Sequence, residues 1–523
     1  MSRKIEILDT TLRDGAQSRG ISFSVEDKCA IAATLDSIGI DFIELGNPSS
    51  APREAEVFTR IRETSLSASR PCAFGSTRRK DGCAEEDLAA LVATGMPVAV
   101  IFGKAWLYHV REVLVTTPEE NLRMIADSVS YLRGQGMEVI FDAEHYFDGA
   151  REDSAYAHEV LQTALRAGAQ TVVLCDTNGG VFPDEIAMRV AEAYALCGDR
   201  IGIHCHDDCG CAVASTLAAV LAGARHVQGT LLGFGERCGN ANLSTVIPNL
   251  QLKLGFSCIP DDAMASLTFA ARRVADVANI SLYKNMPYVG SNAFAHKAGM
   301  HADGIYKNTR TFEHIDPSLV GNTRRIVTSE LAGRNLILRK LQMIAPGLTK
   351  DSPETQALLD MLKTREQAGY TYEAADASFE LMARRAIGRY QEHFELLFYK
   401  TIGEYPVPLA NPAAAIVKVR VDGKEALEAG EGNGPVNALD DALRRALTQF
   451  YPRLDESYLS DFKVRVLNPE AATAAVTRVL MTSTDGRNTW STIGVSGDIL
   501  EACLLSLTDA IEYKLMLDDK ENS

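Results

Sequence analysis

The chain has 523 residues, enough for two to four domains, and its 46% apolar and 23% charged residues are the balance of a folded rather than a disordered protein. No apolar run reaches the roughly 18 residues a membrane-spanning helix needs. A net charge of −16 and a pI near 5.2 argue against nucleic acid as the main partner, because phosphate binding requires a basic face.

The N-terminus, Met1-Ser2-Arg3-Lys4, runs into an apolar segment without a signal-peptide core, so a cytoplasmic location with reduced thiols is expected. The 11 cysteines are scattered. Their one cluster, Cys205, Cys209 and Cys211, lacks the second pair of a structural zinc site.

Short β-rich runs recur at Ile5–Leu8, Asp41–Leu45, Pro71–Phe74, Pro97–Phe102, Glu138–Phe141, Thr171–Cys175, Arg200–His204 and His226–Thr230. Helix-like segments lie between them. Ser24–Ile38 opens with a capping box in which Asp27 replaces the usual Glu, and Ile31, Ala32 and Leu35 fall at helical spacing. Glu54–Ile61, Glu85–Ala93, Pro118–Leu132, Ser154–Ala167, Pro183–Leu196 and Ala212–Ala222 behave similarly. Eight strand–helix units predict a (β/α)8 (TIM) barrel of the α/β class over residues 1–265. A doubly wound open sheet is the alternative, but no dinucleotide fingerprint follows the first strand.

Residues 266–390 read as a mostly helical linker region, with a break at Pro346 and Pro353 and a charged stretch, Lys363–Tyr372, expected as a hinge. Residues 391–523 read as an α+β domain. Ala415–Val421 alternates as a strand, and Gly430-Glu431-Gly432-Asn433-Gly434 turns into a helix over Val436–Phe450. Phe462–Val466, Ala475–Thr482 and Thr489–Val495 are further strands, followed by the helix Asp498–Met516. This amounts to two β-rich units, each closed by a helix. A plain dimerisation module would show the same pattern.

In a barrel, chemistry gathers where strands end. Asp9, Arg13 and Asp14 follow the first strand, and Glu44 and Asn47 the second. Asp142 and Glu144 close the fifth, and Asp176, Thr177 and Asn178 the sixth. His204, His206, Asp207 and Asp208 end the seventh, and Gln228, Glu236, Arg237 and Asn240 follow the eighth. In extended chain His204 and His206 face the same way, so both imidazoles can reach one point. With a carboxylate such as Asp14 they suit a divalent metal. Two surface histidines in a loop are the plainer reading. Arg13 can polarise a carbonyl oxygen. Glu144 is a candidate general base, or pairs with Arg13, and Thr177 can hydrogen-bond a carboxylate. The glycines of Gly233–Asn240 can bring backbone amides to an anion.

Asp9-Thr10-Thr11-Leu12-Arg13-Asp14-Gly15-Ala16-Gln17, His204-x-His206-Asp207-Asp208 and Gly235-Glu236-Arg237-Cys238-Gly239-Asn240 together resemble the 2-isopropylmalate, homocitrate and citramalate synthase family of DRE-TIM metallolyases. The resemblance runs nearly end to end, and the chain looks most like the citramalate synthase type. It implies an acyltransferase that condenses the methyl carbon of acetyl-CoA, its co-substrate, with a 2-oxo acid, pyruvate for this type, and hydrolyses the thioester. It further implies a divalent metal (Mg, Mn, Zn or Co) on Asp14, His204 and His206, with Asn240 a further ligand. Arg13 would polarise the keto group, Thr177 would bind the carboxylate, and Glu144 would serve acid–base chemistry.

By the same resemblance Ser291–His301 reaches into an active site, that of a partner subunit in a homodimer, with His301 a catalytic proton carrier. The C-terminal region would be a regulatory domain binding an end-product amino acid, isoleucine for this type, with Gly432, Gly434, Gly494 and Asp498 in the contact loops. The chain departs from the family at Phe312, where Tyr is usual, and at Asp498, where Asn is usual. Rival readings are a 2-isopropylmalate or homocitrate synthase, a related hydroxyacyl-CoA lyase, and a non-catalytic amino-acid sensor.

Overall fold

The computed structural model describes residues 3–64, 66–296, 301, 304–305, 307–326, 341–342, 344–349, 352–372, 375–403 and 413–522. The chain forms two compact units, Met1–Phe294 with Ile315–Arg324, and Ala295–His314 with Arg325–Ser523.

In the first unit, eight parallel strands close a barrel in sequence order: β1 (Glu6–Asp9), β2 (Phe42–Gly46), β3 (Arg70–Ser76), β4 (Val98–Lys104), β5 (Glu138–Glu144), β6 (Thr171–Asp176), β7 (Ile201–Cys205) and β8 (His226–Gly229). The closing register places Leu8 opposite Gln228. The expected barrel is present, and the open sheet is excluded. The strands alternate faces, so two apolar layers result. Leu8, Phe42, Cys72, Val98, Val100, Ile140, Val173 and Cys175 pack inside the barrel. Ile7, Ile43, Ala99, Ile101, Phe141 and their counterparts pack outward against the helices.

Local chemistry sets the helix ends. The Ser24 hydroxyl accepts from Asp27 N at 3.1 Å, and Asp27 accepts from Ser24 N at 2.8 Å, which completes the expected capping box of the helix Val25–Ser37. The helices Pro118–Gly134 and Pro183–Cys197 start on proline, as read from the sequence. The interior core fills the barrel below, and polar residues occupy the strand ends above it.

In the second unit, β9 (Ala295–His296) pairs with β10 (Arg325–Ile326). Helices follow at Pro353–Gln367 and Asp376–Ala386. The stretch expected as a hinge is therefore helix as far as Gln367. Its charges are the solvent face of an amphipathic segment, while Leu358, Leu359 and Leu362 are buried.

Two antiparallel sheets come next: β11 (Glu395–Gly403), β12 (Ala413–Val421) and β13 (Lys424–Gly432), then β14 (Tyr458–Val466), β15 (Thr477–Thr484) and β16 (Thr489–Ser496). Each is closed by a helix, Pro435–Thr448 and Ile499–Asn522. The expected twofold repeat is present, with two strands more than the sequence showed. β13 reads Lys-Glu-Ala-Leu-Glu-Ala-Gly-Glu-Gly, a helix-favouring composition that nine ladder pairs with β12 override.

Glycines let each closing helix approach its third strand. A Cβ on Gly432 would lie 2.6 Å from Ala438 N, and one on Gly494 would lie 1.9 Å from Ala502 O.

Candidate active site

Asp14, His204 and His206 converge at the upper rim of the barrel. They are the one group of metal-competent side chains among the described residues, their ligand atoms all within 4.8 Å of one another. Asp14 Oδ2 lies 3.7 Å from His204 Nε2 and 3.8 Å from His206 Nε2. These separations are too long for hydrogen bonds and suit atoms that share one ion.

All three residues are more than nine-tenths buried. Burial pushes the Asp14 carboxyl up, but Arg13, His204 and His206 outweigh it and hold it below the usual carboxylate range. Burial, then His206, pushes His204 down to about 4, so the imidazole is neutral and its ring nitrogen is free to ligate. Burial lowers His206 in the same direction.

A chain of hydrogen bonds sets the orientation of His204. Its Nδ1 lies 2.9 Å from Gln228 Oε1, and Gln228 Nε2 donates to Asp142 Oδ1 at 2.9 Å. The amide oxygen facing Nδ1 puts the proton there and leaves Nε2 unprotonated toward Asp14. Burial, then Glu44, pushes Asp142 up to about 8.

Asn240 stands opposite His206 through a β-bridge. Its amide nitrogen donates to Phe234 O at 3.0 Å. Asn240 Oδ1 and Asp14 Oδ1 are buried and have no hydrogen-bond partner. Two orphaned oxygens beside two neutral imidazoles are costly without a cation, and this donor set fits a divalent metal.

The glycine loop before Asn240 serves that placement rather than an anion. Its amides are engaged within the fold: Gly233 N with Thr230 O at 3.1 Å, Gly235 N with Ser18 Oγ at 2.6 Å, and Gly239 N with Glu236 O at 2.9 Å. A Cβ on Gly235 would lie 2.2 Å from the Asn240 amide nitrogen, so glycine is required there.

Arg13 rises from the turn after β1. Its Nε donates to Glu44 Oε2 at 2.6 Å and its Nη1 to Asp14 Oδ2 at 3.2 Å. Its guanidinium lies 3.9 Å over the Phe74 ring. Glu44 also accepts from Thr10 Oγ1 at 2.7 Å. The guanidinium is thus fixed beside the metal position. Glu144 does not pair with Arg13. Its partner is Lys104, which β4 carries to the register position opposite it. Thr177 Oγ1 accepts from the His145 amide at 2.9 Å, which leaves its own proton to donate. That amide is aimed by a left-handed backbone at His145, φ 56°.

A cavity of about 250 Å³ brings Arg13, Asp14, Glu144, Thr177, His204 and His206 together. Its remaining wall includes Phe74, Phe102 and Cys175, which the sequence offered only as the last residues of strands, and Arg237, held by both oxygens of Asp208 at 2.8 and 2.9 Å. Alternation along the strand is the one signal that could have marked Phe102, two residues before Lys104.

His301 belongs to the second unit, where it is exposed and its ring stacks on Phe312 at 4.2 Å. Among the effector candidates, Gly432 and Gly494 are buried against helices. Asp498 is the N-cap of Ile499–Asn522, accepting from Leu500 N at 2.8 Å. Asp and Asn cap equally well, so the departure from the family keeps the helix start.

The barrel matches the HMGL-like family over residues 4–271. Residues 288–369 match the homocitrate synthase post-HMGL domain-like family, and 373–515 the LeuA allosteric (dimerisation) domain. The class is an HMGL-like, metal-dependent barrel enzyme of acyltransferase type with a LeuA-type C-terminal domain. The chain is 48% identical to the (R)-citramalate synthase of Aquifex aeolicus (strain VF5), over 100% of this chain and 99% of the relative. It is also 48% identical to that of Synechocystis sp. (strain ATCC 27184 / PCC 6803 / Kazusa), over 98% and 96%. A probable 2-isopropylmalate synthase of Methanopyrus kandleri is more distant, at 32% over 96% of each chain. The chain belongs to the (R)-citramalate synthase family.

Proposed function

We propose that the protein condenses acetyl-CoA with pyruvate and hydrolyses the thioester, giving (R)-citramalate, CoA and a proton. The observation that carries this reading is the convergence of Asp14, His204 and His206 with Arg13, Thr177 and Glu144 in one cavity. The 42–48% identity to five curated (R)-citramalate synthases supports pyruvate as the acceptor.

Asp14, His204 and His206 hold a divalent metal (Mg, Mn, Zn or Co), with Asn240 Oδ1 as a further donor. When bound, the metal supplies Lewis-acid polarisation of the keto group. Arg13 stabilises negative charge growing on the keto oxygen, from a guanidinium that Glu44 and Asp14 hold in place. The Thr177 hydroxyl donates to the pyruvate carboxylate. Glu144, steadied by Lys104, takes part in proton transfer at the acetyl methyl. The carbon nucleophile so formed attacks the keto carbon, and water then releases CoA. His301 is assigned to the acetyl-CoA end on the family resemblance.

Phe74 and Phe102, whose rings stack at 5.5 Å, narrow the cavity and favour pyruvate over the bulkier 2-oxo acids. We assign a homodimer through the LeuA-type domain, and isoleucine as the effector, to the same reading.

The test is thiol release from acetyl-CoA by the metal-restored protein with pyruvate, 2-oxobutyrate, 2-oxoisovalerate and 2-oxoglutarate. Fastest release with pyruvate, slowed by isoleucine, is expected. A preference for 2-oxoisovalerate would move the protein to the 2-isopropylmalate reaction.

A further inference from the structure

A separate cavity, of about 350 Å³, lies wholly within the second unit, where the helices Pro353–Gln367 and Asp376–Ala386 meet β16 and the helix Ile499–Asn522. Met382, Ile493 and Leu505 give it an apolar wall. None of Gly432, Gly434, Gly494 and Asp498, the residues expected at the effector, lines it.

Its polar side chains are in two states. Arg385 and Asp509 are matched to each other: Arg385 Nη1 donates to Asp509 Oδ1 at 3.0 Å, and Arg385 Nε meets Glu392 at 3.3 Å. Asp509 also accepts from the Ser378 hydroxyl, whose oxygen in turn accepts from the Ile493 amide at 3.0 Å. Arg365 and Tyr372 are unmatched. The Arg365 guanidinium lies 4.9 Å over the Tyr370 ring and has no carboxylate partner among the described residues. Tyr372 is 5% exposed, yet its hydroxyl, which burial keeps protonated, makes no hydrogen bond among the described residues. A buried O–H without an acceptor is costly. The positive charge of Arg365 acts on this same phenol.

Among the described residues the lining therefore offers a free cation and a free hydroxyl donor beside an apolar wall, and its carboxylate is already bonded. That combination selects a monoanion over a zwitterion, because an α-ammonium would face two guanidiniums with no free carboxylate to meet it. We propose that this cavity binds a monocarboxylate with a compact apolar tail, its carboxylate on Arg365 and the Tyr372 hydroxyl and its tail against Met382, Ile493 and Leu505. The occupant bridges the linker helices to the second sheet–helix repeat, whose closing helix starts at the Asp498 cap. It is an input to this unit chemically distinct from an amino-acid effector, and it stands apart from the reaction proposed above.

The experiment titrates the full chain with 4-methylpentanoate by ligand-observed NMR, which needs no turnover. This acid has the tail and the carboxylate, but no 2-oxo group for a metal and no ammonium. Saturable binding to wild type is expected, with the same affinity in Asp14→Ala. Arg365→Ala, at an exposed helix position, should weaken it roughly tenfold, the scale of one charge-assisted hydrogen bond. Tyr372→Phe, which keeps the ring, should weaken it about fivefold. The neutral 4-methylpentanamide should bind at least about tenfold more weakly than the acid. No saturable binding to wild type, or an affinity indifferent to both Arg365→Ala and Tyr372→Phe, would overturn the assignment. Loss of binding in Asp14→Ala would move the acid to the reaction cavity, and displacement by equimolar isoleucine would contradict the selection of a monoanion; either result sinks the proposal.

Discussion

Asp14 keeps its charge while buried chiefly because the Arg13 guanidinium beside it offsets the desolvation, and burial, acting against the pull of Asp14, is what leaves the two histidines unprotonated for a metal. Asp14→Ala is expected to lower metal affinity by at least about 100-fold and to abolish turnover. Retained metal binding would refute the ligand set. Gln228→Leu frees the His204 ring to change tautomer and should weaken metal binding roughly tenfold, by calorimetry, without unfolding the barrel. With His204 titrating near 4 and His206 also lowered, protons compete for the ligands only in acid. Metal affinity should therefore hold nearly level from pH 8 to 6. A steady decline across that range would mean that the histidines titrate as ordinary ones. Phe102→Ala should admit 2-oxobutyrate or 2-oxoisovalerate and shift preference away from pyruvate by roughly tenfold, the worth of a methylene or two. At this scale the sequence was informative where polarity sat at strand ends: Asp14, His204, His206, Thr177 and Glu144. It was silent on Lys104 as the partner of Glu144, because 40 positions separate them and only the β4–β5 register joins them. Phe74 and Phe102 read only as strand ends, because nothing local distinguishes an aromatic lining a cavity from one filling a core.

Secondary-structure elements were legible where runs of β-favouring residues are buried on both faces or alternate with burial. All eight barrel strands and the Ser24 capping box were legible because local and tertiary preferences agree there. β13 was not, since its Ala, Glu and Lys residues favour helix and only pairing with β12 holds it extended. Glycines carry the contacts between sheet and helix. Gly494→Ala would set a Cβ 1.9 Å from Ala502 O, and should destabilise the second unit by about 2 kcal/mol in chemical denaturation. The entry to β11 is held by His393, whose Nδ1 meets Glu512 at 2.8 Å and whose Nε2 meets Asp519 at 3.0 Å. Burial lowers this imidazole, but the two carboxylates win and raise it above its ordinary 6.5. The raised value means that the stabilisation is complete below pH 6.5 and is lost as pH rises through the folded value. Thermal unfolding of wild type and His393→Gln should therefore converge at high pH. A gap that widens with pH would reverse the assignment.

Across the whole molecule, a barrel that places a metal-competent triad over a closed apolar core accompanies a C-terminal domain of two sheet–helix repeats. The first was legible as a count of strand–helix units. The second was legible only as a repeat, since nothing in a single chain's periodicity says which surface meets another copy. If isoleucine acts through the second repeat's loops, Asp498→Ala, which removes the cap hydrogen bond to Leu500 N, should weaken inhibition while thiol release without isoleucine stays within about twofold. Unchanged inhibition would place the effector elsewhere.

The central claim is that this chain joins an acetyl carbon to pyruvate at the Asp14 site. Carbon-13 NMR of methyl-labelled acetyl-CoA with pyruvate, metal and protein tests it most directly. The account predicts that the label moves from the thioester methyl into the methylene of citramalate, with one CoA freed per product, and that Asp14→Ala leaves the spectrum unchanged. Label retained in acetyl-CoA with wild type, or transferred equally by Asp14→Ala, would contradict it.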